Sequence, residues 1–542
     1  MTDADEPEVL DALIVGAGFS GLYALHYLRQ RGVHARVLET AENVGGTWLV
    51  NRYPGARCDI ESIEYSYSFS EEIQQEWTWT ETMPAQPEIE AYLRFVADRL
   101  DLRRDIAFNT TVSAMTFDGA AAEWVVDTAA GQRLRARFVI AASGILSAPL
   151  QPDIAGIDDF AGTTLYTGRW PKEGHDLTGR RVGVVGTGST GVQLIPVVAR
   201  DVGQLYVFQR SAAYTLPWEV RQFAPGELDE LKANYGQIRA AQRAHPVGAA
   251  RLSAFSVLLD MLSRPPLKSA SRDEQLRAIS EHGVLGALNW GDLFFDIEAN
   301  RMATRLYGEA IARIVHDPET AAALVPTYPF ACKRPIIDQG YYETFNRDNV
   351  SLVDLRREPI ETVTAAGIRT SRGDYDLDVI VYATGFDAMT GALSRIDVRG
   401  RDGQSLRDTW AEQGPVSYLG LQVAGFPNLF TVQGPGSPSA ATNFVTALEQ
   451  HVEWIGDCIT YLRTAGMRTI EALPTAQAEW IEHTTSLVAA TVLAHPTCNS
   501  WYNGGNVPGK KRMYMGYTGG IPEYRRRCDE IAAAGYTGFR LG

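Results

Sequence analysis

The chain has 542 residues, of which 45% are hydrophobic and 21% charged, and its formal net charge at pH 7 is −15. This composition is that of a globular protein, and the length is sufficient for two or three domains. The excess of acidic residues disfavours nucleic acids and anionic membrane surfaces as partners, because a negative field repels polyanions. The N-terminus lacks the basic start and apolar core of a signal peptide, and no apolar run reaches the ~18 residues of a membrane span. We therefore expect a cytoplasmic protein with no membrane, nucleic-acid or obligate protein partner.

The cysteines and histidines indicate neither a metal site nor a disulfide framework. The five cysteines are scattered without a CxxC pair; they are Cys58, Cys332, Cys458, Cys498 and Cys528. The nine histidines show no HExxH or comparable spacing of metal ligands. The sequence therefore predicts no bound metal and no set of disulfide bonds.

A glycine fingerprint, GAGFSG at 16–21, follows the apolar run 13–15 and precedes an apolar-periodic segment that is typical of a helix. Glycines in this pattern turn the chain tightly and let backbone N–H groups approach a pyrophosphate at a helix N-terminus. The next predicted strand, 35–38, ends on Glu39, where a carboxylate can accept hydrogen bonds from an adenosine ribose. An acid here suits a ribose without a 2′-phosphate, as in FAD or NAD. The candidate cofactor-binding residues of this unit are Gly16, Gly18, Ser20, Gly21 and Glu39.

A second fingerprint, GTGSTG at 186–191, follows the apolar run 182–185. The strand predicted after it, 205–209, ends on Arg210-Ser211 rather than on an acid. A guanidinium at this position can pair with a 2′-phosphate, so the second cofactor is predicted to be NADPH. Lys333 is a candidate second cation for the same phosphate. The candidate residues of this unit are Thr187, Gly188, Ser189, Thr190, Gly191, Gln193, Arg210, Ser211 and Lys333.

Two segments that bracket the second fingerprint, 138–144 and 379–385, both end in small residues. Each is typical of a buried strand that meets a cofactor or crosses between domains. We expect residues 1–149 and 384–542 to form one discontinuous domain and residues 150–383 to form a second domain inserted into it. The helical pattern from about 222 to 328 predicts a helical insertion over the site, either a plain structural lid or in contact with substrate. The predicted fold class is α/β, with two Rossmann-like dinucleotide-binding domains and this insertion.

Three further motifs carry a family resemblance that covers nearly the whole chain. They are GGTW at 45–48 with YPGARCD at 53–59, the segment from Phe160 to Trp170-Pro171, and ATGFD at 383–387. In these motifs, and in the stretches 328–335, 434–439 and 500–510, the chain resembles the type I Baeyer–Villiger monooxygenases. Through residues 57–65 and 341–350 it looks most like their phenylacetone and cyclohexanone monooxygenase groups. The ending Trp170-Pro171 favours this branch over the related N-oxygenating enzymes. One position departs from the family pattern, because Tyr166 stands where the signature has His, which puts the coupling of NADPH use to oxygenation in doubt.

The resemblance implies FAD in the first domain, NADPH in the second, and O2 and a ketone as substrates. NADPH would reduce the flavin, O2 would give a C4a-peroxyflavin, and a tetrahedral adduct with the ketone would rearrange to an ester or lactone. Arg334 would supply a permanent positive charge, with Asp59 as its partner, and Trp501 would lie on a mobile loop that closes over NADP. The remaining FAD-binding residues are Thr47, Trp48, Tyr65, Val112 and Phe444, and the substrate pocket is expected at Ser439, Ala440 and Ala441.

Other functions stay open at this point. A flavin-dependent N- or S-oxygenase is disfavoured by Trp170-Pro171 but left open by Tyr166. A flavin disulfide reductase also uses two dinucleotide domains, yet normally needs a CxxC or similar pair. A non-catalytic nucleotide-binding scaffold would not explain why Asp59, Arg334 and Trp501 are all present.

Overall fold

The computed structural model describes residues 9–251 and 253–542. Its largest sheet has eight strands in the order β17-β4-β5-β6-β1-β2-β3, with β18 beside β6. The strands are β1 (Val9–Val15), β2 (Ala35–Leu38), β3 (Ile106–Ala107), β4 (Val112–Asp118), β5 (Glu123–Thr128), β6 (Arg133–Ala141), β17 (Asp397–Arg399) and β18 (Leu429–Thr431). Strand β1 runs parallel to β2 and β6, with Ile14 opposite both Val37 and Ile140.

The second sheet has five strands, all parallel, in the order β12-β9-β8-β16-β7. They are β7 (Thr163–Tyr166), β8 (Arg181–Val185), β9 (Gln204–Gln209), β12 (Val350–Asp354) and β16 (Val379–Tyr382). The smaller sheets comprise β10 (Thr215–Pro217) with β11 (Ile336–Asp338), the meander β13 (Ile360–Thr364), β14 (Gly367–Thr370) and β15 (Gly373–Asp376), and the pair β19 (Ile470–Ala472) and β20 (Phe539–Leu541).

Helices flank both large sheets. They are α1 (Phe19–Gln30), α2 (Thr47–Val50), α3 (Glu71–Glu76), α4 (Gln86–Arg99), α5 (Ser189–Val198), α6 (Glu227–Ala233), α7 (Tyr235–Ala244), α8 (Ala254–Met261), α9 (Arg272–Leu288), α10 (Ile297–Ile311), α11 (Pro318–Ala323), α12 (Tyr341–Thr344), α13 (Gly391–Ser394), α14 (Leu406–Gln413), α15 (Phe444–Thr464), α16 (Pro474–Val488) and α17 (Ile521–Ala533). Short 3₁₀ turns include 438–441 and 501–503. None of the helices in the described ranges is long and apolar enough to cross a membrane.

The hydrophobic core forms on both faces of the first sheet, because successive side chains of a strand point to opposite faces. Ile14 packs with α1 and α15 on one face, whereas Leu13 packs with Met115 and Trp124 on the other. The core cluster on one face of the second sheet includes α5 and α12 and extends to α9 and α10 of the helical insertion. The fold is α/β, with one fingerprint after a strand of the mixed first sheet, the other after a strand of the parallel second sheet, and a helical insertion, which confirms the predicted fold class.

The two fingerprints are held by the same local packing. A Cβ atom at Gly16 would lie 2.6 Å from the carbonyl oxygen of Ala142, and one at Gly186 would lie 2.5 Å from that of Ala383. Both glycines also have positive φ, 104° and 114°, which other residues rarely adopt. The two segments that end in small residues therefore pass directly over the two fingerprint turns.

Candidate active site

The first fingerprint leaves the N-terminus of α1 without a side-chain cap. The free N–H groups of a helix start bind anions well, so this end suits a pyrophosphate. Glu39 lies at the end of β2, where its carboxylate accepts hydrogen bonds from the backbone N–H of Ala17 (2.6 Å) and Ala41 (2.8 Å). Burial raises the pKa of Glu39, and these backbone hydrogen bonds oppose the rise. The carboxylate is thus fixed beside the fingerprint turn.

The GGTW motif lies against the same turn. A Cβ atom at Gly46 would lie 3.0 Å from the Cα of Gly18, so the two glycine segments pass in close contact. Thr47 begins α2, and the indole Nε1 of Trp48 donates to the hydroxyl of Tyr65 at 3.1 Å. Of three other candidates, Ser20 in α1 and Val112 at the start of β4 are buried, and Phe444 begins α15 half-buried.

The second fingerprint repeats this arrangement at α5. That helix has no side-chain cap either, and both Gly188 and Ser189 are exposed. The hydroxyl of Thr187 donates to the carbonyl of Ser211 at 2.8 Å, which joins the fingerprint to the end of β9. Thr190 is half-buried and Gly191 packs against the turn, where a Cβ atom would lie 2.2 Å from the Gly186 oxygen.

Gln193 on α5 contacts the YPGARCD segment. Its Nε2 donates to the carbonyl of Arg57 at 2.9 Å, and its Oε1 accepts from the hydroxyl of Tyr53 at 2.8 Å. Gly55 lies close by, because a Cβ atom there would be 2.5 Å from the Gln193 carbonyl oxygen. The YPGARCD segment is therefore fastened to the second fingerprint helix.

Two cations lie near one another beside the second fingerprint. Burial lowers the pKa of Lys333 to about 8, and the positive charge of Arg210 lowers it further in the same direction. The Lys333 ammonium also lies 4.2 Å from the centre of the Tyr328 ring. Arg210 is exposed at the end of β9. The structure thus brings these two predicted cations together.

Arg334 and Asp59 form a two-point ion pair. The Nε and Nη2 atoms of Arg334 donate to Oδ2 and Oδ1 of Asp59, each at 2.6 Å. This fork geometry fixes the plane of the guanidinium. Burial works against the positive charge, but Asp59 outweighs burial, so the pKa of Arg334 lies above its ordinary value. Tyr65 lies within electrostatic reach of both groups, which places the pair beside the GGTW motif.

Trp501 begins a 3₁₀ turn whose N-cap is Ser500. The indole is half-buried and packs against Tyr502, with ring centres 4.4 Å apart. Tyr502 is buried, and its hydroxyl has no hydrogen-bond partner among the described residues. Burial raises the pKa of this phenol, and Arg334 opposes the rise, so Tyr502 lies within electrostatic reach of Arg334.

The end of the Trp501 segment is anchored on the ATGFD motif. The ammonium of Lys510 donates to Oδ1 of Asp387 at 2.6 Å, and Asn506 donates to the carbonyl of Phe386 at 2.8 Å. Gly504, between these contacts and Trp501, has a φ of 71°. The segment therefore touches both the Arg334 loop and the chain that joins the two sheets.

The expected substrate loop lies next to this segment. Ser439 is buried, and its hydroxyl contacts the sulfur of Met389 at 3.8 Å. Met389 belongs to the apolar cluster that contains Trp501 and Tyr502. Ala441 is half-buried, whereas the side chain of Ala440 lies outside the described part of the structure.

The helical insertion packs on the start of α15, directly after the substrate loop. The backbone N–H of Asn443 donates to the carbonyl of Val247 at 2.7 Å, and the hydroxyl of Thr446 donates to that of Gly248 at 3.0 Å. Gln242 of α7 also donates to Thr446 at 2.8 Å. The insertion thus packs against the start of α15, beside the expected substrate loop.

Tyr166 ends β7 and stacks on Tyr382 of β16, with ring centres 5.2 Å apart and planes inclined by 26°. Burial raises the pKa of Tyr166. Trp170 is buried, and Gly168 lies against Phe386, where a Cβ atom would be 3.3 Å from the ring. The signature segment therefore packs on the same linker that anchors Lys510.

The cysteine pattern predicted no disulfide framework, but the structure contains a disulfide bond. Cys332 and Cys498 form a disulfide bond, with their Cα atoms 5.5 Å apart, whereas Cys58, Cys458 and Cys528 are free and buried. The partners are separated by 166 residues, so no spacing rule could find them. Cys332 precedes Lys333-Arg334 and Cys498 precedes the Trp501 turn. The two cysteines meet because the fold packs these two segments against each other.

Sequence reasoning also missed three residues of the site: Tyr502, Lys510 and Met389. The first two lie in a stretch, 500–510, that resembles the family, so the signal was present, but their partners are distant in sequence. Nothing in the sequence around Met389 indicates its contact with Ser439.

Comparison with known proteins places the chain in a family. The family model described as "Pyridine nucleotide-disulphide oxidoreductase" matches residues 13–245. Acetone monooxygenase (methyl acetate-forming) of Gordonia sp. (strain TY-5) is 40% identical over 539 residues, which cover 98% of this chain and 99% of that protein. A Baeyer–Villiger monooxygenase of Pseudooceanicola batsensis is 39% identical, with 97% of this chain and 95% of that protein covered. The chain belongs to the Baeyer–Villiger monooxygenase family.

Solved structures of monooxygenases superpose along the whole chain. The closed crystal structure of cyclohexanone monooxygenase gives a TM-score of 0.92 at 41% identity, covering 99% of this chain and 100% of that one. The open crystal structure gives 0.87 at 40% identity with the same coverage. OTEMO in complex with FAD and NADP gives 0.90 at 37% identity, again with 99% and 100% covered.

The relatives of this Baeyer–Villiger family member include one enzyme of a different chemistry. Phenazine N-monooxygenase PhzNO1 of Lysobacter antibioticus is 38% identical over 553 residues, which cover 100% of this chain and 98% of that protein. Overall sequence similarity therefore does not distinguish enzymes that oxygenate ketones from those that oxygenate nitrogen.

Proposed function

We propose that the protein uses NADPH and O2 to convert ketones to esters or lactones, with FAD as its bound cofactor. The observation that carries the proposal is the two-point ion pair of Arg334 with Asp59. Tyr65, which accepts a hydrogen bond from Trp48 of the GGTW motif, lies within electrostatic reach of both groups, and Lys333, the candidate phosphate ligand, directly precedes Arg334 in the chain. Relatives named for acetone and cyclohexanone oxygenation support the substrate class.

The residues present fit the two cofactors. Both fingerprint helices begin without a side-chain cap, and both fingerprint turns are too tight for a Cβ atom. Glu39 would bind the ribose of FAD, and Arg210 with Lys333 would bind the 2′-phosphate of NADPH. Gly16, Gly18, Ser20, Thr47, Trp48, Tyr65, Val112 and Phe444 are assigned to FAD, and Thr187, Ser189, Thr190, Gln193 and Ser211 to NADPH. Bound FAD would supply hydride acceptance and activation of O2.

The chain's own groups would control the charge that develops on the reacting oxygen atoms. Arg334 keeps its charge at every working pH and would stabilise an anionic oxygen beside it. Asp59 holds the guanidinium in one orientation through both hydrogen bonds, so the charge is positioned before the reaction begins. Trp501 and the apolar cluster around Met389 would exclude water from the oxygenating centre.

The domain assignment belongs to the same proposal. We assign residues 1–149 and 384–542 to the FAD domain and residues 150–383, with the helical insertion of about 222–328, to the NADP domain. Strands β17 and β18, which follow residue 384, pair with β4 and β6 in the first sheet. Strand β16 pairs with β7 and β8 in the second sheet. We further propose that the enzyme works in the cytoplasm without an obligate partner.

A flavin-dependent N-oxygenation is the second candidate, because PhzNO1 matches the chain over its full length. Tyr166 also stands where the Baeyer–Villiger signature has His.

The Tyr166 phenol can donate one hydrogen bond but carries no positive charge, so coupling of NADPH use to oxygenation is expected to improve in Tyr166→His. An unchanged ratio of peroxide to oxygenated product would show that this position has no part in coupling.

The experiment is a substrate panel with purified, flavin-loaded protein. Linear, cyclic and aryl ketones should each be tested alongside aromatic N-heterocycles, with NADPH and with NADH. The proposal expects ketone-derived products heavier by one oxygen atom and a preference for NADPH. N-oxides without esters would favour the second candidate, and NADPH oxidation that yields only hydrogen peroxide with every compound would refute both.

A further inference from the structure

The Cys332–Cys498 disulfide joins the two segments on which the proposed site depends. Cys332 directly precedes Lys333 and Arg334, and Cys498 lies three residues before Trp501. The bond spans 166 residues of sequence. It therefore connects the proposed NADP domain to the proposed FAD domain at the site itself.

Cys498 is also the structural centre of the 498–512 segment. Its carbonyl accepts one hydrogen bond from Nδ2 of Asn503 at 2.6 Å and another from Nη2 of Arg512 at 2.7 Å. The disulfide thus fastens both ends of the Trp501 segment to the Arg334 loop. The ion pair of Lys510 with Asp387 is a second, non-covalent anchor on the linker.

A permanent cross-link is unusual inside a reducing cytoplasm, where disulfides are mostly transient and redox-sensitive. Because the bond joins the Arg334 loop to the start of the Trp501 segment, it restricts the movement of that segment relative to the loop. These observations point to a reversible bond with a functional consequence.

We propose that Cys332 and Cys498 are a redox modification site, whose oxidation fastens the Trp501 segment over the Arg334 site and whose reduction releases it. The proposal rests on the proposed function, because it takes the segment to cover bound NADP. Both sulfur-bearing residues are buried, Cys332 at 0% and Cys498 at 1% exposure, so reagents reach them only when the segment lifts. Bound NADP+ is expected to slow both oxidation and reduction.

The oxidant is a hydroperoxide, hydrogen peroxide in the simplest case. The proposed reaction generates it whenever oxygenation fails: NADPH, a proton and O2 give NADP+ and hydrogen peroxide. One thiolate sulfur attacks a peroxide oxygen, the O–O bond breaks, hydroxide leaves and a sulfenic acid forms. The second thiolate attacks that sulfur, the S–O bond breaks and the hydroxide that leaves takes up a proton to form water. In total, two thiols and one hydrogen peroxide give one disulfide and two waters. A small dithiol reduces the disulfide back to two thiols by donating two electrons and two protons.

The experiment compares flavin-loaded protein in two forms. One is oxidised with hydrogen peroxide and desalted, and the other is reduced with a small dithiol and then desalted under anaerobic conditions. Peptide mapping by mass spectrometry establishes whether the Cys332 and Cys498 peptides are linked. The release of NADP+, followed through the flavin spectrum, and limited proteolysis of residues 498–512 are then measured in both forms.

The oxidised form should contain the linked peptides and resist proteolysis in the segment. It should release NADP+ at least about tenfold more slowly than the reduced form, because a cross-link commonly shifts an opening equilibrium by at least that factor. Cys498→Ser should behave like the reduced form under both conditions. Cys458→Ala is the matched control, a buried free cysteine elsewhere, and should keep the redox response.

The absence of linked peptides in the oxidised protein would overturn the proposal. It would equally be overturned if the bond formed but NADP+ release and proteolysis were the same in both forms, since the bond would then be structural only. If Cys498→Ser did not fold, the comparison of the oxidised and reduced wild-type forms would still show whether the bond controls NADP+ release and proteolysis. Neither readout needs a ketone, so a failure to form esters would count against the proposed function and not against the redox site.

Discussion

Removing the guanidinium of Arg334 should separate NADPH oxidation from ester formation. A positive charge about 4 Å from a developing anion is worth about 4 kcal/mol at the effective dielectric of a protein surface. Loss of one such group commonly lowers the rate by about 10²–10³-fold. Arg334→Ala also leaves Asp59, now without its two hydrogen bonds from Arg334, as an added negative charge beside the reacting oxygen. We therefore expect at least the upper end of that range.

The assay measures three quantities on the same variant: anaerobic bleaching of the flavin by NADPH, peroxide release, and ester by mass spectrometry. Arg334→Ala should still reduce its flavin, release peroxide and form almost no ester. Arg133→Ala is the matched control, because Arg133 makes a similar two-point pair with Asp127 (2.7 and 3.0 Å) on the exposed side of the first sheet. Wild-type ester formation by Arg334→Ala would refute the reasoning.

Three further results are expected. Arg210→Ala should raise the KM for NADPH about 10–100-fold, as loss of a charged phosphate contact implies, and leave the KM for NADH unchanged. Since the pKa of Lys333 is about 8, its positive charge is present below that pH and lost above it, so kcat/KM for NADPH should fall as the pH rises through 8. Lys333→Arg should abolish this fall in kcat/KM. A fall that persists in the variant would show that another group titrates. Gly16→Ala should be purified without FAD, because its Cβ atom would lie 2.6 Å from a carbonyl oxygen, whereas Gly119→Ala, with open space around it, should keep a normal ratio of flavin to protein.

The parts of the fold that are encoded locally were predictable. The strand 35–38 and the helices after both fingerprints follow from short apolar runs, glycine turns and helical periodicity. The structure also explains the first glycine of each fingerprint, because a Cβ atom on Gly16 or Gly186 would collide with the backbone of the crossing segment. Such patterns are readable because each depends on residues close together in the sequence.

The contacts that complete the site were not predictable in this way. The Cys332–Cys498 bond and the Lys510–Asp387 pair join residues more than 100 positions apart. The family resemblance named Arg334 and Asp59, but it did not indicate that Tyr502 lies within electrostatic reach of them. Long-range pairing depends on how the two sheets and the linker pack, and a single sequence does not carry that information.

Oxygen labelling shows directly whether the protein transfers one atom of O2 to a ketone. Flavin-loaded protein, NADPH and a ketone that it accepts should react under ¹⁸O2, and the product should be analysed by mass spectrometry together with the NADPH consumed. The account predicts one ¹⁸O atom in each ester or lactone and one NADPH oxidised for each labelled product, with any excess appearing as hydrogen peroxide. Unlabelled ester, or NADPH oxidation that ends only in peroxide across the ketone panel, would contradict it.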